Sequence, residues 1–145
     1  ALLYEASQAG VQIDLVVRGM CSLRPGVEGV SDNIRVSSVI GRFLEHSRLF
    51  WFANGGDDEM YIGSADWMGR NLDRRVEAVV PIEAAELHSR LLRLIDAYLE
   101  DNCTAWDMQP DGSFIRRIPE DQSVAIQARL INGWRHGLNN GDQLP

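Results

Sequence analysis

The apolar positions of the chain fall into short strand-like runs and longer helical repeats. Short runs rich in β-branched and aromatic residues predict strands, and apolar residues spaced three or four apart predict helices. The predicted strands are residues 11–17, 34–40, 49–53, 59–62, 76–80, 106–108 and 114–118. The predicted helices are residues 1–9, 83–101 and 121–136. This order of elements predicts an α/β fold with a mixed central sheet and flanking helices.

Turn signals between these runs refine the prediction. Residues 54–58 and 109–112 are turn-like, so the strands on either side of each turn are expected to form hairpins. The strands at 11–17 and 76–80 are predicted to be buried. Residues 19–33 form a long predicted loop, and loops of that length usually carry function. The large indoles of Trp51 and Trp67 are expected in the core.

The length of 145 residues suits one domain with its own core, and no linker or repeat divides the sequence. The chain begins at Ala1 inside a helical pattern, so residues 1–145 are expected to be a single domain cut from a longer protein. The polar residues 137–145 are expected to form a flexible tail. Cys21 and Cys103 are far apart and no apolar run is long enough to span a bilayer, which favours a cytoplasmic protein.

The net charge of −7 argues against a general nucleic-acid-binding protein. All fourteen cationic residues are arginines, and five of them lie between residues 18 and 48, where there are only three acids. A local cationic cluster on an acidic protein fits a small polyanion held in a cleft. The three histidines are scattered, so no metal-ligand cluster is expected from these residues alone.

His46 is the candidate catalytic residue, because an imidazole can give or take a proton near neutral pH. An isolated histidine is more often structural, but here Arg48 follows two positions later. On a strand, alternate residues face the same side, so the imidazole and the guanidinium could meet one phosphate. Arg18 follows the predicted strand at 11–17, and ligands often bind at the carboxyl ends of parallel strands.

Ser64 is a further candidate for phosphate binding, because Gly63 before it lets a backbone and a hydroxyl approach an anion. The same pair of residues is also typical of an ordinary tight turn. Several charged residues could orient His46 or add donors to an anion, although a solvated, arginine-paired surface is the alternative. They are Asp66, Arg70, Asp73, Arg74 and Glu77. Around Arg74 the chain is expected to be extended, so Arg74 and Arg75 cannot both face the site.

Several strings of residues resemble the polyphosphate kinase 1 family. They are VQIDLVVRG at 11–19, LRPG at 23–26, IRV at 34–36, IGRFLEHSR at 40–48, YIGSADWM at 61–68 and RNLDRRVE at 70–77. The resemblance covers most of residues 1–120 and is to the last domain of that enzyme, which is similar in fold to one half of a phospholipase D enzyme. Gly69 departs from the pattern, where a proline is expected, and this should affect loop stiffness only.

The resemblance implies an enzyme that reversibly transfers the terminal phosphate of ATP to inorganic polyphosphate, with Mg²⁺, through a phosphohistidine on a preceding domain. His46 matches the second active-site histidine of the family, and both His46 and Arg18 match residues that contact the nucleotide phosphates. The family's magnesium-contacting arginines lie upstream, so no metal ligand is expected here. The implied partners are ATP or ADP, polyphosphate, the upstream domains and further copies of the full-length chain. The family can also associate with membranes.

Two other functions remain open at this point. A phosphodiesterase half of the phospholipase D type shares the His-x-basic and Gly-Ser elements. That class, however, expects lysine in place of Arg48 and an aspartate shortly after His46, where Ala53 and Asn54 stand. A non-catalytic module that binds polyphosphate or nucleotide would explain a site with one histidine. The isolated residues are expected to be inactive and to bind polyphosphate weakly.

Overall fold

The computed structural model describes residues 1–135. Its elements are α1 (Leu2–Gln8), β1 (Ile13–Val16), β2 (Ile34–Val39), β3 (Leu49–Phe52), β4 (Glu59–Gly63), α2 (Gly69–Arg74), β5 (Val79–Pro81), α3 (Ala85–Leu99), β6 (Ala105–Met108), β7 (Phe114–Arg116) and α4 (Ile126–Arg135). Every predicted strand and helix is present, and α2 is an addition. The tail predicted at 137–145 lies outside the described residues.

The strands form two sheets. In the larger sheet the order is β1-β2-β6-β7, with β1 parallel to β2 and the remaining pairs antiparallel. In the smaller sheet the order is β3-β4-β5, and both pairs are antiparallel. The two predicted hairpins, β3 with β4 and β6 with β7, are therefore confirmed. The α/β class with mixed strand pairing and flanking helices is also confirmed, with the strands divided between two sheets instead of one.

The predicted burial of two strands is wrong. In β1 the side chains alternate between half-buried and exposed, and every residue of β5 is exposed. Both strands lie at the edge of a sheet and pair with one neighbour only, so less of their surface is covered. Val76, predicted to begin a buried strand, is fully exposed before β5 begins.

The segment around Arg74 is also different from the prediction. Gly69–Arg74 forms the short helix α2, and Arg75 is the extended residue that follows it. The alternation expected for Arg74 and Arg75 therefore does not apply. A helix of six residues is too short to produce a hydrophobic repeat in the sequence, which is why the pattern did not predict it.

The main apolar core lies between the larger sheet and the two long helices α3 and α4. Val39 of β2, Ala97 of α3, Ala105 of β6 and Ile126 of α4 are buried together, with Tyr98 and Leu130 packed against them. Burial of these apolar side chains is the main force that holds both helices on the sheet.

A buried carboxylate connects the elements around this core. Asp101 is completely buried just after α3. It accepts hydrogen bonds from the backbone N–H groups of Cys103, Thr104, Ala105 and Ile126 at 3.1, 2.6, 3.0 and 2.8 Å, and from the Thr104 hydroxyl at 2.7 Å. The Ile126 N–H is the first of α4, and such groups have no partner within the helix. Asp101 thus ties the end of α3 to the starts of β6 and α4.

We expect Asp101→Asn to lower the free energy of unfolding by about 3 kcal/mol, because the amide keeps the shape but leaves buried N–H donors unpaired. Urea unfolding of the variant and the wild type measures the loss. Asp111→Asn is the matched control, since Asp111 is an exposed carboxylate that accepts hydrogen bonds from the backbone and hydroxyl of Ser113. Equal losses in the two variants would contradict the special role of Asp101.

The same carboxylate predicts a pH dependence. Burial alone would raise the pKa of Asp101, but hydrogen bonds from the Thr104 hydroxyl and from the backbone N–H groups of Ile126, Thr104 and Cys103 outweigh it, so the pKa lies below its ordinary value. Its contribution to stability is complete above the unfolded-state pKa of about 3.9 and is lost as the pH falls through the lower folded-state pKa. Urea midpoints measured below about pH 4 should therefore fall more steeply in the wild type than in Asp101→Asn. Parallel curves would refute this assignment.

Candidate active site

The β3–β4 hairpin brings two distant segments of the chain together. Residues 40–48 leave the larger sheet after β2 and enter the smaller sheet at β3. Because β3 and β4 are antiparallel, the start of β3 lies beside the end of β4, and the Gly63 N–H donates to the Arg48 carbonyl at 3.0 Å. Arg48 therefore lies beside Gly63 and pairs with Asp66, and a single site made by His46, Arg48, Ser64 and Asp66 stays a prediction.

Arg48 is the centre of this arrangement. Its Nη2 donates to Oδ1 of Asp66 at 2.8 Å, and its Nη1 donates to the backbone carbonyl of His46 at 2.6 Å. The same Nη1 lies 2.6 Å from Nδ1 of the His46 ring and 3.3 Å from Nε2. The Arg48 side chain is only 13% exposed, so these acceptors hold it in place.

This contact holds the imidazole of His46 without selecting one of its tautomers. The same Nη1 of Arg48 lies within 3.3 Å of both ring nitrogens, so the contact does not assign the ring proton to either of them. His46 is exposed, so a ring N–H can donate a hydrogen bond to an anion that approaches from solvent.

Asp66 supplies the negative charge that balances Arg48. The hydrogen bond from Arg48 lowers the pKa of Asp66, and the charges of Arg48 and Arg18 and the Asn71 amide lower it further. Asn71 is buried in α2 and donates its amide to the Asp66 carbonyl at 3.3 Å. Asp66 is therefore ionised at neutral pH and orients Arg48 towards His46.

Arg18 approaches the same site from the larger sheet. It follows β1 and is exposed, and its Nη1 donates to the carbonyl of Glu45, the residue before His46. Its charge also contributes to the lowered pKa of Asp66, which is consistent with a position close to the Arg48–Asp66 pair. Arg18 therefore contacts the residue before His46, and its contact with nucleotide phosphates stays a prediction.

Ser64 and Glu77 form a separate pair at the junction of β4 and β5. The Ser64 hydroxyl donates to the Glu77 carboxylate and accepts from the Ala78 N–H at 3.0 Å. The Ser64 N–H donates to the Ala78 carbonyl, also at 3.0 Å. The hydroxyl is thus engaged in a turn contact, and binding of phosphate by Ser64 stays a prediction.

The remaining charged candidates lie on α2. The side chains of Arg70, Asp73 and Arg74 are exposed, and none of them makes a hydrogen bond or an ion pair with another residue in the range 1–135. They follow Asp66 closely in sequence, but the structure does not bring them into the contacts among His46, Arg48 and Asp66.

Sequence reasoning missed two residues behind the site, Gln127 and Tyr98. Gln127 of α4 is buried and bonds to the backbone of Phe43 and to Glu45, and Tyr98 of α3 donates to Glu45 at 2.7 Å. A buried glutamine on an amphipathic helix is a signal of a hydrogen-bonded partner. The identity of that partner was not predictable, because Gln127 and Glu45 are 82 residues apart.

The expectation that both tryptophans are core residues is wrong. Trp67 is 60% exposed and stacks on Phe50 of β3, with ring centroids 5.4 Å apart. Trp51 is 40% exposed, and its indole N–H donates to Asp58 at 2.9 Å. The smaller sheet has too little packed against it to bury these rings.

Within residues 1–135 no three His, Cys, Asp or Glu side chains lie close enough together to hold a metal ion. No helix of the same range is long and apolar enough to cross a bilayer.

Comparison with known proteins assigns the family. The family model described as "Polyphosphate kinase C-terminal domain 2" matches residues 1–128. The chain belongs to this polyphosphate kinase family. The resemblance in the sequence strings is therefore confirmed, and the histidine and arginines described above lie within the matched residues.

Several polyphosphate kinases are similar to the chain over most of its length. That of Parasynechococcus marenigrum is 61% identical over 140 residues, which is 95% of this chain and 20% of the relative. That of Pseudomonas putida is 55% identical over 131 residues, 89% of this chain and 18% of the relative. A crystal structure of polyphosphate kinase from Porphyromonas gingivalis matches with a TM-score of 0.85 and 40% identity, over 92% of this chain and 21% of that one. The chain thus spans about a fifth of the length of these polyphosphate kinases.

We expect Arg48→Gln to raise the pKa of Asp66 towards the ordinary value of about 4, because the main cause of its lowering is removed. A carboxyl-carbon NMR titration of Asp66 measures the change. Arg35→Gln is the control, since Arg35 pairs with Asp14 in the other sheet and should leave Asp66 unaffected. An unchanged Asp66 titration in Arg48→Gln would show that the pair does not hold in solution.

Proposed function

We propose that this chain is the C-terminal catalytic part of a longer polyphosphate kinase and helps to transfer the terminal phosphate of ATP reversibly to inorganic polyphosphate. The observation that supports this most is the contact of Arg48 with both His46 and Asp66, in a chain 61% identical to a polyphosphate kinase. A proton-bearing imidazole held by an arginine suits the stabilisation of a phosphoryl group in transfer.

The proposed reaction has two steps. A histidine of an upstream domain attacks the γ-phosphorus of ATP, so a P–N bond forms while the P–O bond to ADP breaks. A terminal oxygen of polyphosphate then attacks the same phosphorus, and the P–N bond breaks. His46 faces this phosphoryl group, and a ring N–H donates a hydrogen bond to an equatorial oxygen as charge develops there. Division of one transfer into two through a covalent intermediate is nucleophilic catalysis.

The two arginines have different proposed roles. Arg48 shares its charge with Asp66 and is nearly buried, so it fixes the imidazole. Arg18 is exposed beside His46 and has no carboxylate partner within residues 1–135, so it is the better candidate for direct contact with the nucleotide phosphates. A preorganised donor of this kind is typically worth about 3 kcal/mol of the activation barrier.

The other candidates have supporting roles in this proposal. Arg70 and Arg74 of α2 are exposed cations that would contact the polyphosphate chain beyond the reacting group, with Asp73 nearby. Ser64 would turn its hydroxyl to a phosphate only after it leaves Glu77. The contacts give less support to each of these roles than to those of His46, Arg48 and Arg18.

The other components of the reaction lie outside these residues. Mg²⁺ would accompany ATP, and the resemblance to the family places its ligands in the upstream domains. We propose ATP or ADP, polyphosphate and the upstream domains as partners, and a cytoplasmic homo-oligomer as the full-length form. Membrane association of that form stays a prediction.

Two alternatives differ in what they require of His46. A phospholipase D-type phosphodiesterase would use it to hydrolyse a phosphodiester, and no contact described above favours that reaction over phosphoryl transfer. A non-catalytic module would need only the cationic surface, so loss of His46 would leave the transfer rate unchanged.

We expect His46→Ala in the full-length enzyme to lower the rate of phosphate transfer from ATP to polyphosphate by at least about 100-fold, because acid–base groups of this kind contribute that much. Release of ADP and growth of polyphosphate measure the rate. His88→Ala is the matched control, since His88 lies on α3 and makes no contact with the site. Near-normal transfer by His46→Ala would rule out the assigned role, and phosphodiester hydrolysis lost with His46 would favour the alternative enzyme.

A further inference from the structure

Polar contacts from the helices α3 and α4 hold residues 43–45, which precede His46 in the chain. The Gln127 amide accepts from the Phe43 N–H at 2.8 Å and donates to the Phe43 carbonyl at 2.9 Å. Its amide nitrogen also lies 2.5 Å from Oε1 of Glu45. The Tyr98 hydroxyl donates to the other oxygen, Oε2, at 2.7 Å. Both oxygens of the residue before His46 are thus engaged by the helices α3 and α4.

Hydrophobic packing does not hold this segment. The side chains of Phe43 and Leu44 are 55% and 76% exposed, so little apolar surface is buried there. Gln127, in contrast, is 7% exposed, and its amide occupies the space that a side chain at Gly41 would need. A buried amide that pairs both its donor and its acceptor with one residue's backbone fixes the register of that backbone.

The protonation state of Tyr98 suits it to donate a hydrogen bond to Glu45. Burial raises the pKa of Tyr98 well above its ordinary range, and the hydrogen bond to Glu45 and the charge of Glu45 raise it further. The phenol therefore stays protonated and acts as a donor. The Glu45 carbonyl meanwhile accepts from Arg18, so this one residue connects Arg18, Tyr98 and Gln127.

We propose that Gln127 and Tyr98 are positioning residues for His46 and act through Phe43 and Glu45. This inference rests on the proposed function, because it takes His46 as the group that faces the transferred phosphate. Arg48 contacts the imidazole of His46. The position of the His46 backbone is set by Phe43 and Glu45, which precede it in the chain. Loss of the anchor lets that backbone shift and moves the imidazole away from the phosphoryl group, while nucleotide contacts made elsewhere in the full-length enzyme remain.

Kinetics of the full-length enzyme provide the first test. Gln127→Ala should lower kcat about 100-fold and Tyr98→Phe about tenfold, because small misplacements of a catalytic group cost that much. The KM for ATP should change far less than kcat, because Arg18 keeps its charge and loses only its bond to the Glu45 carbonyl. Tyr61→Phe is the matched control, because it removes a hydroxyl that donates to an exposed carboxylate, Glu59, away from the site. A purely structural role would lower the thermal midpoint and leave kcat of the folded enzyme unchanged, and that result would overturn the proposal.

A chemical readout tests the positioning without activity. Diethyl pyrocarbonate acylates accessible imidazoles, and peptide mass spectrometry reports the rate at His46, with N-acetylhistidine added to the same reaction as the reference. Release of the segment frees both ring nitrogens from Arg48, so the His46 rate should rise severalfold in Gln127→Ala and in Tyr98→Phe. An unchanged or lower rate in both variants would overturn the proposal. Tyr98→Phe retains the packed aromatic ring, so this variant still tests the proposal if Gln127→Ala fails to fold.

The two proposals fail in different ways. If His46→Ala is inactive while Gln127→Ala and Tyr98→Phe keep their kcat, the positioning proposal is wrong and the proposed function stands. If His46→Ala is active, the proposed function is wrong, and the acylation rate alone decides whether Gln127 and Tyr98 position the imidazole.

Discussion

The site depends on one buried carboxylate that takes no part in the proposed chemistry. Asp101 binds the first N–H of α4 and the backbone that leads into β6, so it sets the start of that helix against the larger sheet. Gln127 is the next residue of the same helix turn and reaches the segment before His46. A displacement of α4 at Asp101 would therefore be passed directly to Phe43 and Glu45. A buried charge is tolerated there because five hydrogen bonds replace its water.

The second requirement is the register of the β3–β4 hairpin. That register places Arg48 beside Asp66, eighteen residues away, so that a positive and a negative charge cancel next to the imidazole. Arg18 then remains as a cation that no carboxylate of residues 1–135 neutralises by an ion pair. This arrangement leaves a local cation on a chain with a net charge of −7, as the proposed binding of a polyanion requires.

The sequence predicted those features that depend on neighbours in the chain. The hairpins follow from turn residues between apolar runs. His46 and Arg48 lie before β3 and outside any strand, so the strand alternation used to pair them does not account for their contact. Burial of β1 and β5 was mispredicted, because a strand's place at a sheet edge depends on the order of all the strands. Tyr98 and Gln127 meet Glu45 across 53 and 82 residues, and no local pattern encodes such a contact. The family resemblance supplied the role of His46, which spacing alone left open.

The exposed edge strand β5 has a consequence for how the protein behaves at high concentration. One side of β5 pairs with β4, and the other side leaves backbone groups free to extend the sheet with a strand from another molecule. Val79 and Val80 are apolar and exposed, which favours such an addition. Pro81 lacks an N–H and so cannot donate to an added ladder. Proline at this position thus leaves Val79 as the residue of β5 whose backbone N–H can bond to an added strand.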